Sequence, residues 1–327
     1  MTFIAITHHG LTIAEKRGDQ RSLTSILPDK DVRCLAVDPM DKTKILAGTQ
    51  GEGLFRSDDR GKTWAQAGLA GTVIKSIAFT PQDSSVIYAG VKPAAVWRSN
   101  DAGVTWQELA GFNKIRGRNL WFSPAEPPGT AYVQGLAVSP TDPSIVVAGI
   151  EFGAVVHSET GGEKWSGHRS GALRDCHTLK FHFTNGDYVY EGGGTGVGAA
   201  ISRDSGRTWH QDTRGLDRNY GWSVAADPAD PELWYASLSP GPGKAHNPGY
   251  AEAAIFRKRG EASWEKLNGG LPDPINYMPY ALLTDPQAPG HIVAGLANGE
   301  VWHSENEGET WNSLQLKFND LRNLILV

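Results

Sequence analysis

Several things are scarce in this chain. No apolar run approaches the roughly 20 residues needed to cross a bilayer as a helix, so no membrane span and no membrane partner is expected. No basic segment followed by a long apolar one opens the sequence, so no signal peptide is expected. There are only two cysteines, Cys34 and Cys176, too few for a disulfide framework. Free thiols without a leader point to the cytoplasm. The net charge of −5 gives no electrostatic footprint for nucleic acid. No stretch keeps a helical period beyond about two turns. What is plentiful is turn chemistry: 39 Gly and 19 Pro among 327 residues, as suits an all-β chain with many short strands.

One turn sequence recurs. Ser-x-Asp-x-Gly-x-Thr-Trp occurs intact at Ser57–Asp59–Gly61–Thr63–Trp64, at Ser99–Asp101–Gly103–Thr105–Trp106 and at Ser202–Asp204–Gly206–Thr208–Trp209. A fourth copy, ending at Trp311, carries Asn306 at the acidic position, and two eroded copies end at Trp165 and Trp264. In this box the Asp binds backbone a few residues on, and the Gly accepts a positive φ. Thr and Trp then open a strand, with the indole buried between sheets. A calcium or sugar site at each turn is the functional alternative; a hairpin lock is the structural one.

The surroundings repeat too. VRCLAVDP from Val32, IKSIAFTP from Ile74, VQGLAVSP from Val133, CHTLKFHF from Cys176, GWSVAADP from Gly221 and YALLTDP from Tyr280 are one strand met six times. Each is followed by a second apolar strand, which carries Ala-Gly in four of the six units, then a third strand and a box or its eroded form. Units of roughly 40 residues holding four strands predict a β-propeller. The chain opens on segments matching strands two to four and ends on LRNLILV, which matches strand one. The ends therefore complete a seventh blade, with Glu15 to Asp19 in place of its box, and the ring has no open edge. The expected fold is a single all-β, seven-bladed propeller domain, with blades at about 32–71, 72–112, 132–171, 174–216, 219–272, 277–316, and 321–327 with 1–27. Because each blade packs only on its neighbours, 327 residues can form one such domain. Cys34 and Cys176 fall in blades one and four, so a disulfide is not expected.

The boxes resemble the Asp-box, or bacterial neuraminidase repeat, of the sialidase superfamily, and the resemblance covers nearly the whole chain. The same repeat is found in xyloglucanases, sortilin-type receptors and photosystem assembly factors, so it implies a propeller and leaves function open. Sialidases also carry an Arg-Ile-Pro segment, an arginine triad and a Tyr-Glu pair. No Arg-Ile-Pro occurs here, and sialidase activity is not expected.

Aligning the repeats places candidate site residues. Near the start of each inner strand stand Arg33, Lys75, Gln134, His177, Trp222, Tyr280 and Arg322; after each second strand stand His8, Gln50, Lys92, Glu151, Gly193, Ser239 and Ala297. These positions are polar or aromatic and unlike one another, which favours a pocket over a plain solvated rim. Three insertions belong to the same face: 113–132, with Arg118 and Trp121; the glycine-rich 192–198; and 239–250, with His246 and Tyr250. GGGTGVG leads into a strand and a box rather than a helix, so it is read as close backbone approach or a flexible hairpin, not a nucleotide loop.

Glu191 stands where the repeat prefers a small residue, and its burial predicts a raised pKa suited to acid–base work. With Glu151 it could form a carboxylate pair, or each could pair with an arginine such as Arg174 or Arg118. His177 and His182, five apart on one strand, should face opposite sides. No histidines show metal-ligand spacing within one element; a divalent metal held by His8, His177 and Glu191 is the weaker alternative to ordinary hydrogen-bonded histidines, and no cofactor is named. His177 beside Tyr220, Trp222 and Tyr280 could transfer protons. Three functions stay open. One is binding of a polar organic ligand such as a saccharide at the channel mouth, with Trp222, Tyr280 and Trp121 stacking and Arg33, Arg118 and Arg322 holding anionic groups. The second is a hydrolase or lyase using Glu151, Glu191 and His177. The third is a scaffold for protein partners.

Overall fold

The computed structural model describes residues 2–17 and 20–327, and all but a few short turns of helix are strand or loop. Gly18 and Asp19, at the end of the segment expected to replace the seventh box, lie outside the described residues. Seven antiparallel sheets follow one another along the chain, and the fold is a seven-bladed β-propeller. Among the described residues no helix is long and apolar enough to cross a membrane.

The chain divides into two compact units, 1–169 with 325–327, and 170–324. The first holds the sheets that begin at Phe3–Thr7, Val32–Val37, Val73–Thr80 and Val133–Val138. The second holds those that begin at Cys176–Phe181, Tyr220–Ala226 and Pro279–Asp285. The last strand, Asn323–Leu326, joins the sheet of Phe3–Thr7, Gly10–Arg17 and Gln20–Ile26, as expected of a blade shared by the two ends. Five sheets have four strands; those beginning at Val133 and Cys176 have three. In the latter, the fourth strand expected from the repeat is reduced to one bridge, Ile201 with His210.

Cores form where one sheet faces the next. Ile4, Ile6 and Leu11 pack with Val32, Ile45 and Ala47. Tyr88 and Val96 pack with Val133, Val146 and Ile150. Tyr235 and Ile255 pack with Leu282 and Ile292. Each such aliphatic side chain contributes about 2–3 kcal/mol on burial. Cys34 and Cys176 are free and buried, and burial pushes the Cys34 thiol up to about 12.

The boxes lock the outer turns. The Ser57 hydroxyl accepts the Gly61 N–H at 2.8 Å and donates to Asp59, whose carboxylate accepts the Thr63 N–H and hydroxyl at 2.8 and 2.6 Å. Arg60 and Gly61 are both left-handed, at φ 62° and 84°, a pair of conformations that needs glycine at the second place. The copies at Ser99, Ser202 and Ser304 repeat this net.

Candidate functional site

In blades one to six the inner strand begins with a register break. The ladder skips Arg33, Lys75, Gln134, His177 and Tyr280, one residue each, and Trp222–Ser223 in the fifth blade. These are the positions aligned from the repeats. A bulge leaves its extra residue out of the cross-strand pattern and re-aims its side chain, so the repeat does not dictate what stands there.

In unit 170–324 the bulged residues His177, Trp222 and Tyr280 form one aromatic cluster with Tyr220 and His246. Ring centroids lie 4.5 Å apart for His177–Trp222, 4.9 Å for Trp222–Tyr280 and 5.1 Å for Trp222–His246. His246 caps the single-turn helix Pro242–Ala245 inside the third insertion. Its Nε2 lies 2.8 Å from the Tyr220 hydroxyl and its Nδ1 2.9 Å from that of Tyr280. A neutral imidazole gives one hydrogen and accepts one, so Tyr220, His246 and Tyr280 form a continuous proton-sharing chain. The Tyr280 hydroxyl is raised by burial, against the nearby charge of Arg322, which lowers it. His246 is lowered by its packing and by His177.

His177 Nδ1 sits 2.7 Å from the Gly221 carbonyl. A carbonyl only accepts, so Nδ1 carries the hydrogen, and Nε2 faces Asp175 Oδ2 at 3.7 Å. Burial pulls the ring down to about 4, against the Gly221 bond, so it is neutral at pH 7. His182, just past the strand, places Nε2 2.9 Å from the Asp227 carbonyl. His177 and His182 thus both reach into the following blade, not to opposite sides. The bulge between Cys176 and Thr178 adds one residue and inverts the alternation.

Glu191 is fully buried. Oε2 accepts the Leu173 N–H at 2.9 Å, and Oε1 has no partner among the described residues. Burial, with Asp175 adding to it, pushes the carboxyl up to about 8 despite the Leu173 bond. The neighbouring glycines are there for space. A Cβ on Gly193 would come 2.1 Å from the Asp175 carbonyl oxygen, and one on Gly194 would come 2.0 Å from Asp175 Oδ2.

In unit 1–169 the candidates meet charge instead of rings. Arg33, half-buried, and Lys75, buried, both turn to Glu126 of the first insertion. Arg118 donates to Asn113 and, at 2.6 Å, to the Ala94 carbonyl. Trp121 packs on Phe112, ring centroids 5.9 Å apart. Glu151 is buried, its N–H on the Tyr132 carbonyl at 3.1 Å. His8 and Gln50 are exposed.

Two features escaped the sequence. Lys180 Nζ donates to the Leu282 carbonyl at 3.3 Å, and withdrawal from water pulls it down to about 8. Its signal was present: the equivalent residues are Ala36, Ala78, Ala137 and Ala225. Ligand atoms of His291, His303 and Glu305 lie within 4.8 Å of one another; no shared spacing announces that group.

No family model matches the chain, and no curated protein matches it. Solved structures do. An ancestral GH74 enzyme is 18% identical, with a TM-score of 0.67 over 88% of this chain. The GH74 xyloglucanase from Xanthomonas campestris is 21% identical, with a TM-score of 0.66 over 87%. This chain spans 38% and 45% of those two. YCF48 bound to a D1 peptide is 13% identical, with a TM-score of 0.61 over 89% of this chain and 84% of its own. At these identities the shared property is the propeller.

Proposed function

We propose that the cluster of His177, Tyr220, Trp222, His246 and Tyr280 binds a saccharide. The observation carrying this reading is the half-exposed Trp222 and Tyr280 rings, packed around a Tyr–His–Tyr hydrogen-bond chain. Rings supply stacking faces, and hydroxyl and imidazole edges read sugar hydroxyls. The GH74 neighbours support a carbohydrate ligand, and the repeated box supports a place among Asp-box propellers. Titration with a xyloglucan oligosaccharide, followed by tryptophan fluorescence, tests it. Trp222→Ala should weaken binding at least tenfold with the fold intact; equal binding, or none by the wild type, would sink the proposal. Selective binding of peptides instead would move the reading to a protein-partner role.

A second reading is a hydrolase or lyase on a carbohydrate-like substrate. It draws on Glu191, which keeps its proton at pH 7, and on His177, neutral with its tautomer fixed. In that reading these two move protons. Glu191→Gln should then abolish release of reducing ends while binding persists; wild-type binding without turnover leaves the chain a binder.

A further inference from the structure

Three cations in unit 1–169 converge on one carboxylate from a loop. Lys75 Nζ lies 2.7 Å from both oxygens of Glu126. Lys92 Nζ lies 3.5 Å from Oε2 and donates to the Glu126 carbonyl at 2.9 Å. Arg33 Nη1 lies 3.3 Å from Oε1. Both lysines are more than nine-tenths buried, whereas the Glu126 side chain is a quarter exposed. The Tyr132 ring lies under them, 4.4 Å from Lys75 Nζ and 5.6 Å from Lys92 Nζ, and cation–π attraction holds the two ammonium groups in place.

The cations stand on strands, and the carboxylate stands on an irregular insertion. Lys75 and Arg33 are bulge residues of adjacent blades, and Lys92 ends the strand Asp83–Lys92. Glu126 comes from an insertion whose regular structure is two single-turn helices, Phe112–Lys114 and Arg118–Leu120, and one bridge, Phe122 with Thr130. The insertion exposes Leu120 and Phe122 to water. Among the described residues the three cations pair with two carboxylates, Glu126 and Asp31. Arg33 Nε, buried, has no partner among the described residues. Buried lysines strongly favour an anion over water at this point.

We propose that Arg33, Lys75 and Lys92 form a binding site for the carboxylate of a small-molecule ligand, which Glu126 occupies as an internal stand-in that the ligand displaces. The blades hold the cations whether or not the insertion is docked, so the free carboxylate and Glu126 compete for the same two ammonium groups. A ligand also carrying hydroxyls can accept from Arg33 Nε. The site lies in a different unit from the aromatic cluster and does not rest on the saccharide reading.

Glucuronate is the probe, and calorimetry on the full chain is the measurement. Glu126→Gln removes the competing charge while keeping the side chain's size. It should bind glucuronate at least tenfold more tightly than the wild type does. Adding Lys75→Met should take at least that factor back. The methyl ester of glucuronate should gain nothing from Glu126→Gln. Equal affinity of wild type and Glu126→Gln, or no binding by either, overturns the site; so does inorganic phosphate gaining as much as glucuronate, because the site is then not one for carboxylates. Should Glu126→Gln fail to fold, the glucuronate-induced rise in Tm of the wild type is compared with that of Lys92→Met. A smaller rise in the variant supports the site, and an equal rise overturns it.

Discussion

The same backbone device carries opposite chemistry in the two units. In 1–169 the bulged residues are Arg33, Lys75 and Gln134; in 170–324 they are His177, Trp222 and Tyr280. The cations cannot satisfy one another, and a carboxylate from outside the repeat is drawn in to serve them. The aromatic residues need no such help: they stack, and His246 ties two hydroxyls together. A bulge frees a position from the ladder but leaves its polar accounts to be settled locally. One unit settles them with charge and a loop, the other with rings and neutral hydrogen bonds.

Acidity separates the two most sharply. Glu191 keeps its proton in the folded chain up to about pH 8, whereas in the unfolded chain it is lost near 4.5. Stability from this group is therefore full below 4.5 and is lost as pH rises from there through 8, by on the order of 5 kcal/mol. His177 acts the other way. Its folded value of about 4 lies below the unfolded 6.5, so its contribution is full above 6.5 and falls as pH drops towards 4, by about 3 kcal/mol. Urea unfolding across pH 4 to 8 should show each slope once the other is removed, in His177→Gln and Glu191→Gln respectively. Unchanged pH profiles in both variants would show that unit 170–324 is not organised around neutral buried groups.

Glu126→Ala tests the charged unit. It strands two buried ammonium groups, and stability should fall by about 3 kcal/mol. Burial alone would raise the Glu126 carboxyl, but the bonds from Lys75, then the charges of Lys75, Arg33 and Lys92, hold it below the usual range. The loss should therefore also appear in the wild type under acid, as Glu126 takes up its proton below the ordinary glutamate value. A loss under 1 kcal/mol would mean that water already reaches the cations, and the contrast between the units would narrow.

The boxes should respond least, and alike in both units. Ser57→Ala and Ser304→Ala each remove the bond to a glycine N–H, at about 1 kcal/mol. A difference of more than twofold in denaturation free energy would tie box strength to its blade.

Much of this fold is legible in the sequence, because strands and boxes recur at fixed offsets and local rules set them. The bulged positions could be aligned for the same reason, although nothing in Arg33 or Tyr280 announces a bulge. What could not be read depends on distant chain. Glu126 lies in an insertion without period, and its partners arrive from two other blades. Glu191 could be placed as enclosed, but its actual partner, the Leu173 N–H, is set by the path of a loop. The side on which His182 emerges follows from one extra residue in a ladder, which propensity does not foresee.

The box tryptophans have a use beyond packing. Trp64, Trp106, Trp165, Trp209 and Trp311 each donate the indole N–H to the carbonyl of the glycine three residues earlier, at 2.7–3.2 Å. Each lies in a different blade; four of these hydrogens are released when their own turn opens, and that of Trp106, which also donates to the Ala67 carbonyl of the preceding blade at 3.0 Å, is held from two sides. Their exchange rates, read as five separate NMR signals, would rank the blades by local opening free energy without any introduced label.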